Sequence, residues 1–345
     1  MRTDLPSLFE RAVCSRLTAH AVRALYTKGW TVLPDFLQVR GHEGIQEHQD
    51  EENEETYARA LCDEIRALPL QTNHTHLVDT QRGNRTTLVR KCDGVREFDG
   101  PLEPFGTQAK LSSLVTDGAS SLMAMMSVLE PRMTLTRATY KLQMSPAGQC
   151  GSFPMHTDSD EMVDERRITA LFYPNARDRP WVQEDGGQLR IYDWPHGAVD
   201  VPPSNGTLVL FASTSMVHRV LPVQRERFCV TLWLSGKVKP ASAGPAPKLV
   251  SEEAAMRQRL LDRKIRKHVI RLLYRDEWEQ SLLEAHEESE ERSQLIQSFH
   301  QECELALSNM IRLFPDVNIQ TFADFDRWVN AQEIDLQQAD TQFGW

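Results

Sequence analysis

The chain has no apolar run that approaches a membrane span. Its longest, such as residues 207–212, fall far short of the roughly 20 residues required. It also lacks closely spaced cysteines: Cys14, Cys62, Cys92, Cys150, Cys229 and Cys303 are scattered, with no two within four positions. That spacing excludes a zinc knuckle and a Cys-x-x-Cys redox motif, and reduced thiols in a cytoplasmic or nuclear protein are expected. No excess of basic charge is present. The formal net charge is −10, which speaks against a nucleic-acid polyanion as main partner. Residues 2–25 have no continuous apolar core, so no secretory signal is expected there. Arg11, Arg16 and Arg23 leave a transit peptide open, whereas Asp4 and Glu10 favour a first folded helix. What is there is 345 residues, 40 % hydrophobic and 26 % charged, enough chain for one large domain or two modest ones.

Periodicity predicts a helix over residues 5–27, a strand entering a turn over 30–37 and a polar loop over 41–56. It predicts further helices over 57–68 and 111–129, and an extended region over 71–100. The methionines of 111–129 read as core packing. From 137 to 235 the period changes to two. Strands are predicted at 139–144, 168–173, 188–192, 207–211 and 227–234, punctuated by Pro146-Ala147-Gly148, Gly186-Gly187, Pro202-Pro203 and Asn205-Gly206. Many short strands with turns between them predict a mainly β core with α additions, a jelly roll or antiparallel barrel and not a parallel α/β sheet. Residues 1–238 would form the main domain with its barrel core at about 137–236, followed by a Pro/Ala-rich linker at 239–250 and a helical extension at 251–345. Residues 257–275 are strongly basic and 276–304 strongly acidic. They read as solvated helix faces or, more sharply, as an antiparallel pair drawn together by charge across a Leu/Ile seam.

The chemistry-bearing pattern is His156-Thr157-Asp158, then His218, then Arg227 nine residues on. In a strand-like segment the i and i+2 side chains point the same way, so His156 and Asp158 can reach one metal. Two imidazoles and one carboxylate with positions left free suit non-haem iron(II), whereas a structural zinc site would want a fourth protein ligand. Alternation in 227–234 groups Arg227, Cys229, Thr231 and Trp233 on one face, and in 168–173 it groups Thr169, Leu171 and Tyr173. An arginine inside a barrel needs a fixed anion, which a carboxylate of a metal-chelating dicarboxylate would supply in bidentate fashion, with Tyr173 as a further donor.

These residues, in this order, resemble the Fe(II)/2-oxoglutarate dioxygenase superfamily, closest to its prolyl 4-hydroxylase-like branch with the hypoxia-type prolyl hydroxylases. The likeness covers about 138–235: 140–156 leading into His-Thr-Asp, 168–175 (ITALFYPN), 186–192 (GGQLRIY) and 227–233 (RFCVTLW), with 30–37 (WTVLPDFL) similar to an early strand of such domains. The resemblance implies a double-stranded β-helix in which His156, Asp158 and His218 bind Fe(2+). It implies that Arg227 pairs with the far carboxylate of 2-oxoglutarate, assisted by Tyr173 and Thr231. A tyrosine that relatives often carry before the metal motif is absent; Gln143 or Tyr140 would stand in for it. Beyond the metal site no catalytic side chain is expected. The co-substrates would be O2 and 2-oxoglutarate, with L-ascorbate as an auxiliary, and the substrate a protein or peptide, plausibly at proline. Asp158 argues against a halogenase, which lacks this carboxylate. The alternatives are an oxygenase of a small molecule or alkylated nucleic acid, and a silent barrel that binds a partner through its C-terminal helices.

Overall fold

The computed structural model describes residues 6–38, 53–72, 74–79, 85–92, 94–102, 107–160, 164–175, 179–240, 251–335 and 345. Two helices stand where one was expected over 5–27: α1 (Leu8–Arg16) and α2 (Ala19–Lys28). The chain turns extended at Leu17, and the Thr18 side chain accepts from Ala21 N to start α2. β1 (Trp30–Leu33) follows. α3 (Glu54–Arg66) begins inside the predicted polar loop because Asn53 caps it; residues 41–52 of that loop lie outside the described residues. Strands β2 (Gln71–Thr72), β3 (His74–Asp79), β4 (Arg85–Arg90) and β5 (Arg96–Phe98) fill the extended region. α4 (Ala109–Ser113) and α5 (Ala119–Leu129) flank a π-helical turn at Leu114–Gly118.

Eight strands then carry the core: β6 (Met133–Ser145), β7 (Gly151–His156), β8 (Arg166–Tyr173), β9 (Leu189–Asp193), β10 (Gly197–Val201), β11 (Thr207–Ala212), β12 (His218–Val223) and β13 (Arg227–Val238). β7, β10 and β12 were not predicted. Pro154 and Pro222 interrupt the strand signal in two of them. Pairing gives a seven-stranded sheet, β1-β11-β8-β13-β6-β5-β2, and a four-stranded sheet, β10-β9-β12-β7, with β3 and β4 as a separate hairpin. The two large sheets face each other as an open jelly roll, not a closed barrel.

The predicted alternation in β8 and β13 decides what lies where. Ile168, Ala170, Phe172, Phe228, Val230, Leu232 and Leu234 point outward into one core with Phe9, Val13, Val22, Leu61 and Leu122 of the N-terminal helices. Leu171, Tyr173 and Cys229 point inward, against Leu189 and Ile191 of the small sheet. Fully burying such aliphatic and aromatic side chains contributes about 1.5–3 kcal/mol each.

The C-terminal helices are α6 (Glu252–Leu260), α7 (Arg263–Leu273), α8 (Arg275–Ala285), α9 (Glu290–Leu313) and α10 (Phe322–Asn330). The expected linker lies outside the described residues from 241 to 250. Val269, Ile270, Leu282 and Phe299 share a core with Met155, Tyr192, Trp194 and Val217, so these helices cover the outer face of the small sheet. Of the two readings of the charge blocks, the sharper one, a charge-paired hairpin, describes little of the pairing seen among the described residues. Arg271 pairs with Glu302 across α7 and α9, but Arg266 reaches Asp193, Lys267 reaches Asp160 and Arg275 reaches Asp326. The basic residues on α7 serve the sheet more than the acidic helices, because apolar burial sets the helix orientation and surface ion pairs are weak. No described helix is long and apolar enough to cross a membrane.

Candidate metal centre

β12 runs antiparallel to β7 with His218 directly opposite His156. Cross-strand partners on one face lie close, and the two imidazole rings are 4.4 Å apart. Asp158, two residues past His156, brings its Oδ1 to 3.3 Å from His156 Nε2 and 3.7 Å from His218 Nε2. One ligand atom from each of the three lies within 4.8 Å of the others. Each histidine meets a backbone carbonyl through Nδ1: His156 to Pro154 O at 2.8 Å, His218 to Met216 O at 3.0 Å. A carbonyl can only accept, so Nδ1 carries the proton and Nε2 keeps its lone pair for a metal. Thr169 donates to Asp158 Oδ2 at 2.5 Å, which leaves Oδ1 toward the imidazoles. Burial, reinforced by neighbouring His156, pushes His218 down to about 4, so it is a neutral ligand at pH 7. Burial alone would raise Asp158, but the two histidines and Thr169 outweigh it and hold the carboxyl well below the usual range.

The triad opens on a cavity of ≈ 250 Å³ between the sheets, which is also lined by Gln143, Arg227 and Thr231. Arg227 is 4 % exposed. Its Nε donates to Gly187 O at 3.0 Å, and its guanidinium lies 5.0 Å from the centre of the Tyr173 ring. It forms no ion pair with any described carboxylate. Gly187 has φ +71°, and a Cβ there would lie 2.7 Å from Val223 Cγ2 and 3.0 Å from Arg227 Cδ, so a side chain at 187 would crowd both. The Tyr173 hydroxyl is buried without a hydrogen-bond partner, and burial raises its pKa, so it remains a donor. A buried cation that meets no described carboxylate and a buried hydroxyl without a hydrogen-bond partner, beside a 2-His-1-carboxylate set, fit iron(II) with a chelating dicarboxylate.

Residues 141–235 match the family model of the 2OG-Fe(II) oxygenase superfamily. Residues 141–235 therefore carry a 2OG-Fe(II) oxygenase domain. A curated "Hypoxia-inducible factor prolyl hydroxylase" from Caenorhabditis elegans is 26 % identical over 225 residues, which is 64 % of this chain and 28 % of that protein. The chain therefore spans under a third of the length of that relative. A crystal structure of a prolyl 4-hydroxylase from Phytophthora capsici aligns over 99 % of this chain and 97 % of its own, with a TM-score of 0.62 at 22 % identity. That likeness is one of fold.

The rest of the pocket combines residues singled out from sequence with others that were not. Gln143 lines it, but its Nε2 donates to Glu97 Oε1 at 2.8 Å, and Lys141 Nζ is 3.4 Å from Glu97 Oε2. Tyr140, the other candidate to stand in for the missing tyrosine, turns away and donates to Gly100 O. Thr231 is buried in the cavity wall, 3.9 Å from Cys229 Sγ. Arg166 lies over the Trp233 ring at 4.3 Å, and both line the cavity with Phe153. Glu97 sits on β5, in a region whose sequence carries no readable period; only pairing of β5 with β6 brings it opposite Gln143. Thr169 and Trp233 had a signal, their place on the inner faces of β8 and β13.

The C-terminal helices reach the centre from behind. Met155 N, one residue before His156, donates to Ser281 Oγ on α8 at 2.9 Å. This satisfies a backbone donor at the edge of the small sheet. Arg219, next to His218 and buried, pairs with Glu284 of the same helix.

Proposed function

We propose that this chain is a 2-oxoglutarate- and O2-dependent hydroxylase that acts on a protein or peptide, at proline. The observation that carries this reading is the buried, ion-pair-free Arg227 in the cavity that holds His156, Asp158 and His218. The likeness to prolyl hydroxylases in sequence and fold supports the choice of proline.

His156 Nε2, His218 Nε2 and an Asp158 oxygen would hold iron(II). When bound with 2-oxoglutarate and O2, the metal supplies the oxidising power to hydroxylate an unactivated C–H bond, and 2-oxoglutarate leaves as succinate and CO2. Arg227 binds and orients the far carboxylate of the co-substrate as a fork of parallel donors. Tyr173 donates to the same carboxylate, and Thr231 adds a hydroxyl on that wall. Thr169 fixes the Asp158 rotamer. Phe153, Leu171, Leu189 and Val220 keep water from the inner wall. Glu97, Lys141 and Arg166 place charge around the cavity where a polypeptide would enter. Ascorbate is proposed as an auxiliary reductant, and the six free thiols suit the cytoplasm or nucleus.

Purified protein with iron(II) is expected to convert 2-oxoglutarate to succinate and to add 16 Da to proline in a susceptible peptide. His218→Ala and Asp158→Ala are expected to abolish both, as read by mass spectrometry. Turnover that survives both substitutions overturns the site; turnover with a product other than hydroxyproline overturns the substrate.

A further inference from the structure

The end of β8 cannot complete its ladder with β13. Val230 pairs with Phe172, and the same register two residues further would set Phe228 against Pro174. Pro174 has no N–H to give to Phe228 O, and its own carbonyl accepts from Cys62 Sγ at 2.8 Å. The side chain of Asn175 takes that place. Its Oδ1 accepts from Phe228 N at 2.7 Å, and its Nδ2 donates to Phe228 O at 3.2 Å. Those are the two bonds that a residue of a neighbouring antiparallel strand would exchange. A backbone N–H only donates and a carbonyl only accepts, so these partners fix which end of the amide is oxygen.

The same buried amide reaches a third segment. Nδ2 also donates to Pro203 O at 2.7 Å, and Gly206 N, in the turn that follows, donates to Tyr173 O at 2.9 Å. Tyr173 lies two residues before Asn175, and Arg227 one residue before Phe228. The amide therefore clamps together the two strand ends that carry them. Their side chains meet beside the cavity, with the guanidinium 5.0 Å from the centre of the Tyr173 ring. On the β6 side Arg227 is opposite Ser145, and its Nε donates to Gly187 O. On the β8 side Asn175 holds the backbone beside it.

We propose that Asn175 is a positioning residue for the 2-oxoglutarate anchor: it fixes the spacing of the Arg227 guanidinium and the Tyr173 hydroxyl so that both reach one carboxylate. The inference rests on the co-substrate reading above. A fork of donors loses its alignment with a carboxylate when one strand end swings away from the other. Alanine at 175 leaves Phe228 N without its acceptor and two carbonyls without their donor, in a place closed to water. Asn175 does not line the cavity and bonds to none of the metal ligands, so its loss separates co-substrate affinity from metal affinity.

The test uses the full chain with zinc(II) as a redox-inert metal. Zinc(II), and then 2-oxoglutarate, are titrated by calorimetry into the parent, Asn175→Ala and Val22→Ala. Val22→Ala opens a space in the core formed with the N-terminal helices and controls for lost stability. In Asn175→Ala the Kd for 2-oxoglutarate is expected to rise about tenfold or more, since small misplacements of a binding group are costly. Metal affinity is expected to match the parent, and the Phe228 amide to exchange hydrogen faster. Val22→Ala is expected to match the parent in both affinities. An unchanged Kd for 2-oxoglutarate in Asn175→Ala, a rise that Val22→Ala shares, or an equal loss of metal affinity overturns the positioning role and leaves the co-substrate reading standing. A parent that takes the metal but not 2-oxoglutarate overturns that reading and this inference with it. If Asn175→Ala does not fold, Asn175→Ser, which keeps a hydroxyl there but loses the amide donor, is judged by the same outcomes.

Discussion

Arg227→Met takes away a buried cation and leaves a stem of similar length. In the protein without co-substrate, Arg227 is 4 % exposed, keeps one hydrogen bond to Gly187 O and faces no described carboxylate. An unpaired buried ion costs several kcal/mol, less what cavity water returns, and the lost charged hydrogen bond costs about 1.5–3 kcal/mol. The balance favours methionine by about 1–2 kcal/mol, which for a chain of this size is about 1–3 °C in Tm. With co-substrate the order reverses. At a concentration 100 times its Kd, 2-oxoglutarate stabilises the parent by about 2.7 kcal/mol, or about 4 °C. The variant, without the anchor, gains little. Thermal melts with a redox-inert divalent metal, with and without 2-oxoglutarate, should therefore cross: the variant melts higher alone, the parent higher with ligand. A variant that melts several degrees lower alone shows that Arg227 is already well paired. Equal stabilisation of both proteins by 2-oxoglutarate shows that the dicarboxylate is anchored elsewhere.

Three further outcomes are expected. Thr169→Val frees the Asp158 carboxylate and should weaken metal binding about tenfold with a small change in Tm, since partners that orient a ligand typically contribute 10–100-fold; unaltered metal titration removes Thr169 from that role. Ser281→Ala leaves Met155 N buried without an acceptor beside His156 and should cost about 1–3 kcal/mol in denaturant unfolding; a loss well below 1 kcal/mol would mean that α8 does not brace the strand. Lys91 is 8 % exposed, lies 3.9 Å over the Phe153 ring, and burial lowers it from 10.5 to about 8 despite Glu97. Its folded pKa is below its unfolded one, so stability rises between pH 8 and 10.5 and is lost as pH falls through 8, by up to about 3 kcal/mol at about 1.4 kcal/mol per unit. Lys91→Met should flatten that rise in stability against pH, and parallel curves for the two proteins refute it.

The inner faces of β8 and β13 were legible because each strand alternates between an apolar outward set and a mixed inward set, so Arg227, Thr231 and Tyr173 could be grouped before any pairing was known. The metal motif was legible as well, since His156 and Asp158 are two residues apart in an extended segment. β7 and β12 were harder, because Pro154 and Pro222 break the strand signal where the sheet tolerates them. The cap at Thr18 that divides the first helix was not read from the sequence. The charge blocks at 257–304 misled, since charge on a helix reports which face meets water, not which element it packs against.

Local order in the chain thus determined the residue types of the candidate site, the face on which each proposed co-substrate contact lies and the mainly β character of the core. Only the tertiary structure decided that His218 lies opposite His156, that Glu97 holds Gln143, and that α7 and α8 close over the back of the metal-bearing sheet. The physical reason is range. Side-chain direction along a strand follows from the next two residues, whereas strand register and helix docking depend on apolar surfaces far apart in sequence that become buried together.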